Sequence, residues 1–127
     1  MFISHLDHLV LTVADIKKTV CFYSEVLGMT AITFGDNRTA LSFGEQKINL
    51  HPAAAPLTPH AKLPTPGSAD ICLITHLPLA SAMHHLQEKG VVIELGPVAR
   101  TGAVGVIESI YFRDPDDNLI EVGKYSD

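Results

Sequence analysis

Apolar and polar residues alternate with a period of two in two separated stretches, and each stretch runs into a segment of helical period. Leu9, Leu11 and Val13 alternate with His8, Val10 and Thr12, and Ile71 and Leu73 alternate with Asp70 and Cys72. That period marks strands with one buried face. After the first stretch, Asp15 is placed to cap a helix whose apolar stripe is Ile16, Val20, Tyr23 and Leu27, and Gly28 supplies the left-handed residue that ends it. After the second, Pro78 suits a first helical turn, Leu79, Met83 and Leu86 form the stripe, and Gly90 terminates.

Three more strands are predicted in each half. In the first they cover 31–34, 39–43 and 47–51, divided by the turns Gly35-Asp36-Asn37 and Gly44-Glu45-Gln46. In the second they cover 91–95, about 106–113 and 119–122, the last two joined by Asp114-Pro115-Asp116-Asp117-Asn118, where Asn118 tolerates a positive φ. The chain is therefore a repeat of strand, helix and three strands, and the same twenty positions separate His8 from Gly28 and Asp70 from Gly90. The expected class is α+β: two βαβββ modules, about 4–51 and 69–124, pairing into a curved, open, mixed β-barrel-like cup with the helices outside. Between them, 52–68 carries five of the eight prolines and reads as a surface crossover or a lid. Segment 101–105 reads as a second flexible loop and lacks the context of a phosphate cradle.

Alternation also sorts the chemistry. His8 lies opposite Leu9 and Leu11, His51 and Asn49 opposite Ile48 and Leu50, Asp70 and Cys72 opposite Ile71 and Leu73, and Glu121 opposite Ile120 and Val122. Each module thus places ligand-type residues on the face away from its helix, and a cup closed from both modules brings His8, His51, Asp70 and Glu121 together. Two neutral imidazoles and two carboxylates suit a divalent ion of intermediate softness, namely Ni, Zn, Mn or Fe. Such an ion stabilises developing oxyanion charge as a Lewis acid.

With 127 residues and 46% hydrophobic content, one domain spanning 1–127 buries roughly two thirds of its unfolded surface. The net charge is −5 and the nine Lys and Arg are scattered, so nucleic acid is excluded as a partner. No signal peptide and no apolar run near the ~20 residues of a membrane span are present, and a soluble, cytoplasmic protein is expected. Cys21 and Cys72 have no neighbouring cysteine and are expected to be buried free thiols.

Three motifs carry a family resemblance. His8-Leu9-Val10-Leu11-Thr12-Val13-Ala14-Asp15-Ile16, Phe22-Tyr23-Ser24-Glu25-Val26-Leu27-Gly28-Met29 and Phe112-Arg113-Asp114-Pro115-Asp116-Asp117-Asn118-Leu119-Ile120-Glu121-Val122 agree in order and spacing. Together they make the whole chain resemble the vicinal oxygen chelate superfamily, which includes glyoxalase I, extradiol dioxygenases, fosfomycin-resistance thiol transferases and bleomycin-binding proteins. It looks most similar to small lactoylglutathione-lyase-like glyoxalase-domain proteins. The resemblance implies a metal site with His8 and Glu121 as direct matches to family ligands. It also marks two departures, Asn49 where glyoxalase I has a Glu, with His51 two residues on, and Asp70 where it has a His.

By the same resemblance the implied function is a metal-dependent lyase or isomerase using enediolate chemistry on a 2-oxoaldehyde–glutathione hemithioacetal. Glu121 would be base and ligand, Asp70 the opposite carboxylate, and glutathione a possible co-substrate. Another enzyme of the fold and a metal-free sequestering protein of the bleomycin-binding type are the alternatives. A homodimer is expected, because half-barrels leave edges that a second copy covers.

The remaining titratable residues have ordinary readings. Asp70 is equally placed to cap the turn after Gly67-Ser68, and adjacent His84 and His85 cannot share a helix face. His5, His60 and His76 read as turn or rim residues, and Arg38, Arg100 and Arg113 as exposed side chains that can also anchor a substrate carboxylate.

Overall fold

A computed structural model describes residues 1–126 and divides them into two compact units, Met1–Pro66 and Gly67 onward. The first unit runs β1 (His8–Val13), α1 (Ile16–Glu25), β2 (Thr30–Phe34), β3 (Arg38–Phe43) and β4 (Gln46–Pro52). The second runs β5 (Asp70–Ile74), α2 (Leu79–Glu88), β6 (Leu95–Gly102), β7 (Gly105–Arg113) and β8 (Leu119–Tyr125). Each unit is a four-stranded mixed sheet with one helix, so the class is α+β and the βαβββ order occurs twice. No helix among the described residues is long and apolar enough to cross a membrane.

The strand order of the first sheet is β1-β4-β3-β2, with β1 parallel to β4 and the other pairs antiparallel. Leu11 and Val13 of β1, Leu41 of β3, and Ile48 and Leu50 of β4 are buried, and α1 packs on β2, β3 and β4. Asp15 caps α1 as expected, its Oδ1 accepting from Lys18 N at 3.1 Å, and Gly28 follows the helix at φ +69. The buried residues of the helix are Thr19 and Tyr23, continued by Val26, whereas Ile16, Val20 and Leu27 are only half-buried. The seam is displaced from the expected one because Thr19 satisfies its own hydroxyl on Asp15 O at 3.0 Å and can be buried.

The second sheet repeats this order as β5-β8-β7-β6, with β5 parallel to β8. Its core comprises Leu79, Ala82 and Leu86 of α2 with Ile107, Ile110, Phe112, Ile120 and Val122, and Ala82 takes the place expected of half-buried Met83. The strand expected at 91–95 instead starts at Leu95 and continues to Gly102, absorbing most of the segment read as a flexible loop. Pro97 obscured it in the sequence. Proline is tolerated here because β6 is an edge strand, with a register irregularity between Leu95 and Val98. Ala103 and Val104 then form a tight turn between paired Gly102 and Gly105. A Cβ on Gly102 would lie 2.9 Å from the backbone oxygen of Gly105, which cannot step aside, so that end of the hairpin requires glycine.

The turn before β8 sets the register of that strand. Asp114 Oδ1 accepts from Asp116 N at 2.9 Å and from Asn118 N at 3.0 Å, and its Oδ2 accepts from Asn118 Nδ2 at 2.8 Å. The positive φ falls on Asp117, not on Asn118 as expected. Asn118 is fully buried, and its Oδ1 accepts from Ala69 N at 2.8 Å, pinning the start of β5 beside the start of β8. Leu119 N donates to Ala69 O at 3.1 Å alongside it.

Candidate functional site

Register places the candidate side chains of the first unit on one face of its sheet. On β1 these are His8, Val10 and Thr12, beside Lys47, Asn49 and His51 of β4, respectively. Next to them on β3 come Ser42 beside Lys47 and Ala40 beside Asn49, and the strand then leads to Arg38, opposite Phe34 of β2. The face is thus a field of basic and neutral polar groups around Val10, Ala40 and Ile32.

His8 is partly exposed, and its Nδ1 pairs with Asp7 Oδ2 at 2.8 Å. A carboxylate on Nδ1 fixes the proton there and leaves Nε2 as a bare lone pair, the arrangement commonly found behind metal-bound histidines. The same bond, more than any other contact, holds the Asp7 carboxyl below its usual range.

His51 has a different setting. It is 3% exposed, and its Nε2 lies 3.5 Å from Arg38 Nη2. A guanidinium has no acceptor, so Nε2 faces it as the acceptor and the proton is carried on Nδ1. Burial first, then the charges of Arg38 and His60, pushes the His51 pKa below its ordinary value. Along the strands His51 stands level with Thr12 and His8 level with Lys47, a separation of roughly 13 Å at about 3.3 Å per residue. His51 was expected among the metal ligands. With an arginine against its one free lone pair, it does not fit a cation, and we leave it out of the ligand set.

A stability effect follows from His51. Its folded pKa lies below the unfolded value near 6.5, so the unfolded chain takes up the proton first. The associated stability is present above about pH 6.5 and is lost as the pH falls toward the folded value. Thermal melts between pH 7 and 5 are expected to show a steeper loss in the native chain than in His51→Gln; equal slopes would contradict this environment.

Asp70, Cys72 and Glu121 share one face of the second sheet, Cys72 lying directly beside Glu121 and Asp70 beside Leu119. Asp70 and Glu121 are therefore diagonal neighbours on that face. Both cysteines are exposed, not buried as expected. The Cys72 thiol is nonetheless desolvated against the sheet, and this, followed by the charge of Glu121 and a hydrogen bond to it, raises its pKa to about 11. It stays protonated at neutral pH, a donor to the carboxylate rather than a nucleophile or thiolate ligand.

The other arginines are engaged. Arg113 makes a two-pronged pair with Glu94 at 3.1 and 3.2 Å, and Arg100 Nε donates to the Tyr111 hydroxyl at 2.9 Å. His84 pairs with Glu88 one helical turn on, and His5, His60 and His76 are exposed. Among the described residues no three His, Cys, Asp or Glu side chains are gathered as a ready metal cluster. His8, Asp70 and Glu121 have the donor chemistry of metal ligands. Asn49, which the sequence marked only as a departure, proves to be 5% exposed with an unpaired Oδ1.

The comparisons with known proteins agree with this architecture. A sequence model of the Glyoxalase/Bleomycin resistance protein/Dioxygenase superfamily matches residues 5–122. An integron cassette protein from the mobile metagenome of V. cholerae is 60% identical, with a TM-score of 0.98 over 99% of this chain and 98% of that one. The virulence protein STM3117 of Salmonella typhimurium is 55% identical over 125 residues, 98% of this chain and 87% of the relative. Its crystal structure gives a TM-score of 0.98. The glyoxalase domain-containing protein RDO1 of Mycosarcoma maydis is 54% identical over 122 residues, 96% of this chain and 69% of the relative. The chain belongs to the glyoxalase/bleomycin resistance protein/dioxygenase superfamily.

Proposed function

We propose that this chain is a metal-dependent lyase or isomerase of the glyoxalase I type, acting on a 2-oxoaldehyde–glutathione hemithioacetal as in methylglyoxal detoxification. The observation that carries the reading is the Asp7–His8 pair, in which Nδ1 meets the carboxylate and Nε2 is turned away from it. His8, Glu121 and Asp70 would hold a divalent ion, Ni, Zn, Mn or Fe. Bound there, the ion supplies Lewis-acid stabilisation of negative charge on neighbouring substrate oxygens.

The residues themselves move the proton. Glu121 takes it from the carbon beside the carbonyl and returns it to the adjacent carbon, with Asp70 as the opposite carboxylate, so the base is regenerated and the reaction is a net isomerisation with no redox change. The Cys72 S–H, hydrogen-bonded to Glu121, orients the carboxylate. Glutathione as co-substrate and a homodimeric assembly belong to the same proposal, the second checked by sedimentation.

The test is ultraviolet detection of the thioester formed from methylglyoxal and glutathione, with each metal supplied to chelator-treated protein. Metal-dependent thioester formation supports the reading, and blank rates with every ion overturn it. Metal content after purification without chelator separates it from metal-free sequestration: the native chain is expected to retain an ion that the His8→Ala, Glu121→Gln variant loses.

A further inference from the structure

The face of the second sheet that carries Glu121 also carries an arginine and a phenol that the proton-transfer reading leaves unused. Tyr111 of β7 stands directly beside Glu121 of β8, on the side away from Cys72 of β5. Arg100 of β6 donates from Nε to the Tyr111 hydroxyl oxygen at 2.9 Å, and its Cζ lies 5.5 Å from the centre of the ring. The Tyr111 side chain therefore leads from Glu121 toward the edge strand β6. Arg100 is exposed and Tyr111 half-buried, so both polar ends are open to a ligand.

The free donors of this pair lie together. Arg100 Nη1 donates to its own neighbour Ala99 O at 3.2 Å, and among the described residues no carboxylate stands within ion-pair distance of Arg100, whereas Arg113 has Glu94. In a guanidinium the Nε–H and one Nη2–H are parallel and side by side, the edge with which arginine grips both oxygens of a carboxylate. Here the phenol oxygen takes the place of the first of those oxygens. An anionic oxygen accepting from Nη2 falls beside it, within reach of the Tyr111 O–H, whose proton is free because the phenol accepts from Arg100.

We infer that Arg100 and Tyr111 form a subsite for a carboxylate that the substrate carries at a distance from its reacting carbons. This rests on the lyase reading, under which the group is the glycyl carboxylate of the glutathione moiety. The reach agrees. From the thiol-bearing residue to that carboxylate the ligand extends two residues, about 7 Å, and Tyr111 and Arg100 lie one and two strand spacings from Glu121, roughly 5 to 10 Å. The γ-glutamyl carboxylate is a poorer match, since its adjoining ammonium would meet the guanidinium with no paired acid there to receive it.

The test titrates S-methylglutathione and its glycine ethyl ester into the full-length protein by calorimetry; the blocked thiol prevents turnover of either. The free acid is expected to bind at least about tenfold more tightly than the ester, the worth of one charge-assisted hydrogen bond. Arg100→Gln should bring the acid down to the affinity of the ester and leave the ester unchanged. Tyr111→Phe, which keeps the ring, should narrow the preference by about threefold or more. Absence of saturable acid binding, an ester that binds as tightly as the acid, or a preference that either variant leaves intact overturns the subsite. Equal weakening of acid and ester by Arg100→Gln also overturns it, because the pair is then only a brace between β6 and β7. A blank lyase assay ends the earlier reading without altering these titrations, and failed titrations leave that assay standing.

Discussion

Replacing Glu121 by Gln is expected to lower thioester formation by about 10² to 10⁴, the range for loss of a positioned acid–base group. The substitution preserves shape and can still accept a hydrogen bond from Cys72, so the fold should survive. It removes the proton acceptor and one anionic donor together. Steady-state assays at saturating metal separate the two contributions: a variant that regains full rate at high metal concentration has lost only affinity, and Glu121 is then a ligand without a role as base. Unchanged rates at every metal concentration would remove Glu121 from the site. A loss that excess metal does not repair, with an unaltered melting temperature, is the result the mechanism demands.

Asn118→Ala should have the largest effect on stability outside the apolar core. The side chain is 1% exposed and joins Asp114 Oδ2 to Ala69 N, each at 2.8 Å. Truncation leaves the Ala69 N–H without its acceptor and the Asp114 carboxylate short of one donor. At about 1–3 kcal/mol per stranded group, the expected loss is roughly 2–4 kcal/mol. Urea denaturation monitored by circular dichroism should show it as a lower midpoint with an unchanged slope. The consequence reaches the site, because this bond aligns β5 with β8 so that Cys72 falls beside Glu121. A variant as stable as the native chain would mean that the other turn hydrogen bonds and strand pairing set the register without it.

The element order was legible because both periods were strong and both helices ended on glycines with positive φ, Gly28 and Gly90. Misreadings came where a local signal competed with tertiary context. Pro97 disguised an edge strand, Thr19 entered the helix seam by bonding its hydroxyl to the backbone, and the left-handed residue of the last turn was the exposed Asp117 because Asn118 was needed inside. The cysteines were misjudged for a similar reason. Composition says free thiols prefer burial, but Cys72 sits on the face that the sheet turns away from its apolar side.

By itself the chain's sequence determined the duplicated βαβββ order and the side of each sheet on which His8, His51, Asp70 and Glu121 fall, since a two-residue period follows from strand geometry alone. What it left open was which of these side chains is available to an ion. That depends on cross-strand neighbours tens of residues apart or on a local pairing no periodicity reveals. Asp7 pairs with His8 at Nδ1, Arg38 lies against His51 at Nε2, and Cys72 is held protonated beside Glu121. Only the folded register brings such partners together, and the charge of a neighbour, more than the identity of the residue, decides what an imidazole or a carboxylate can bind.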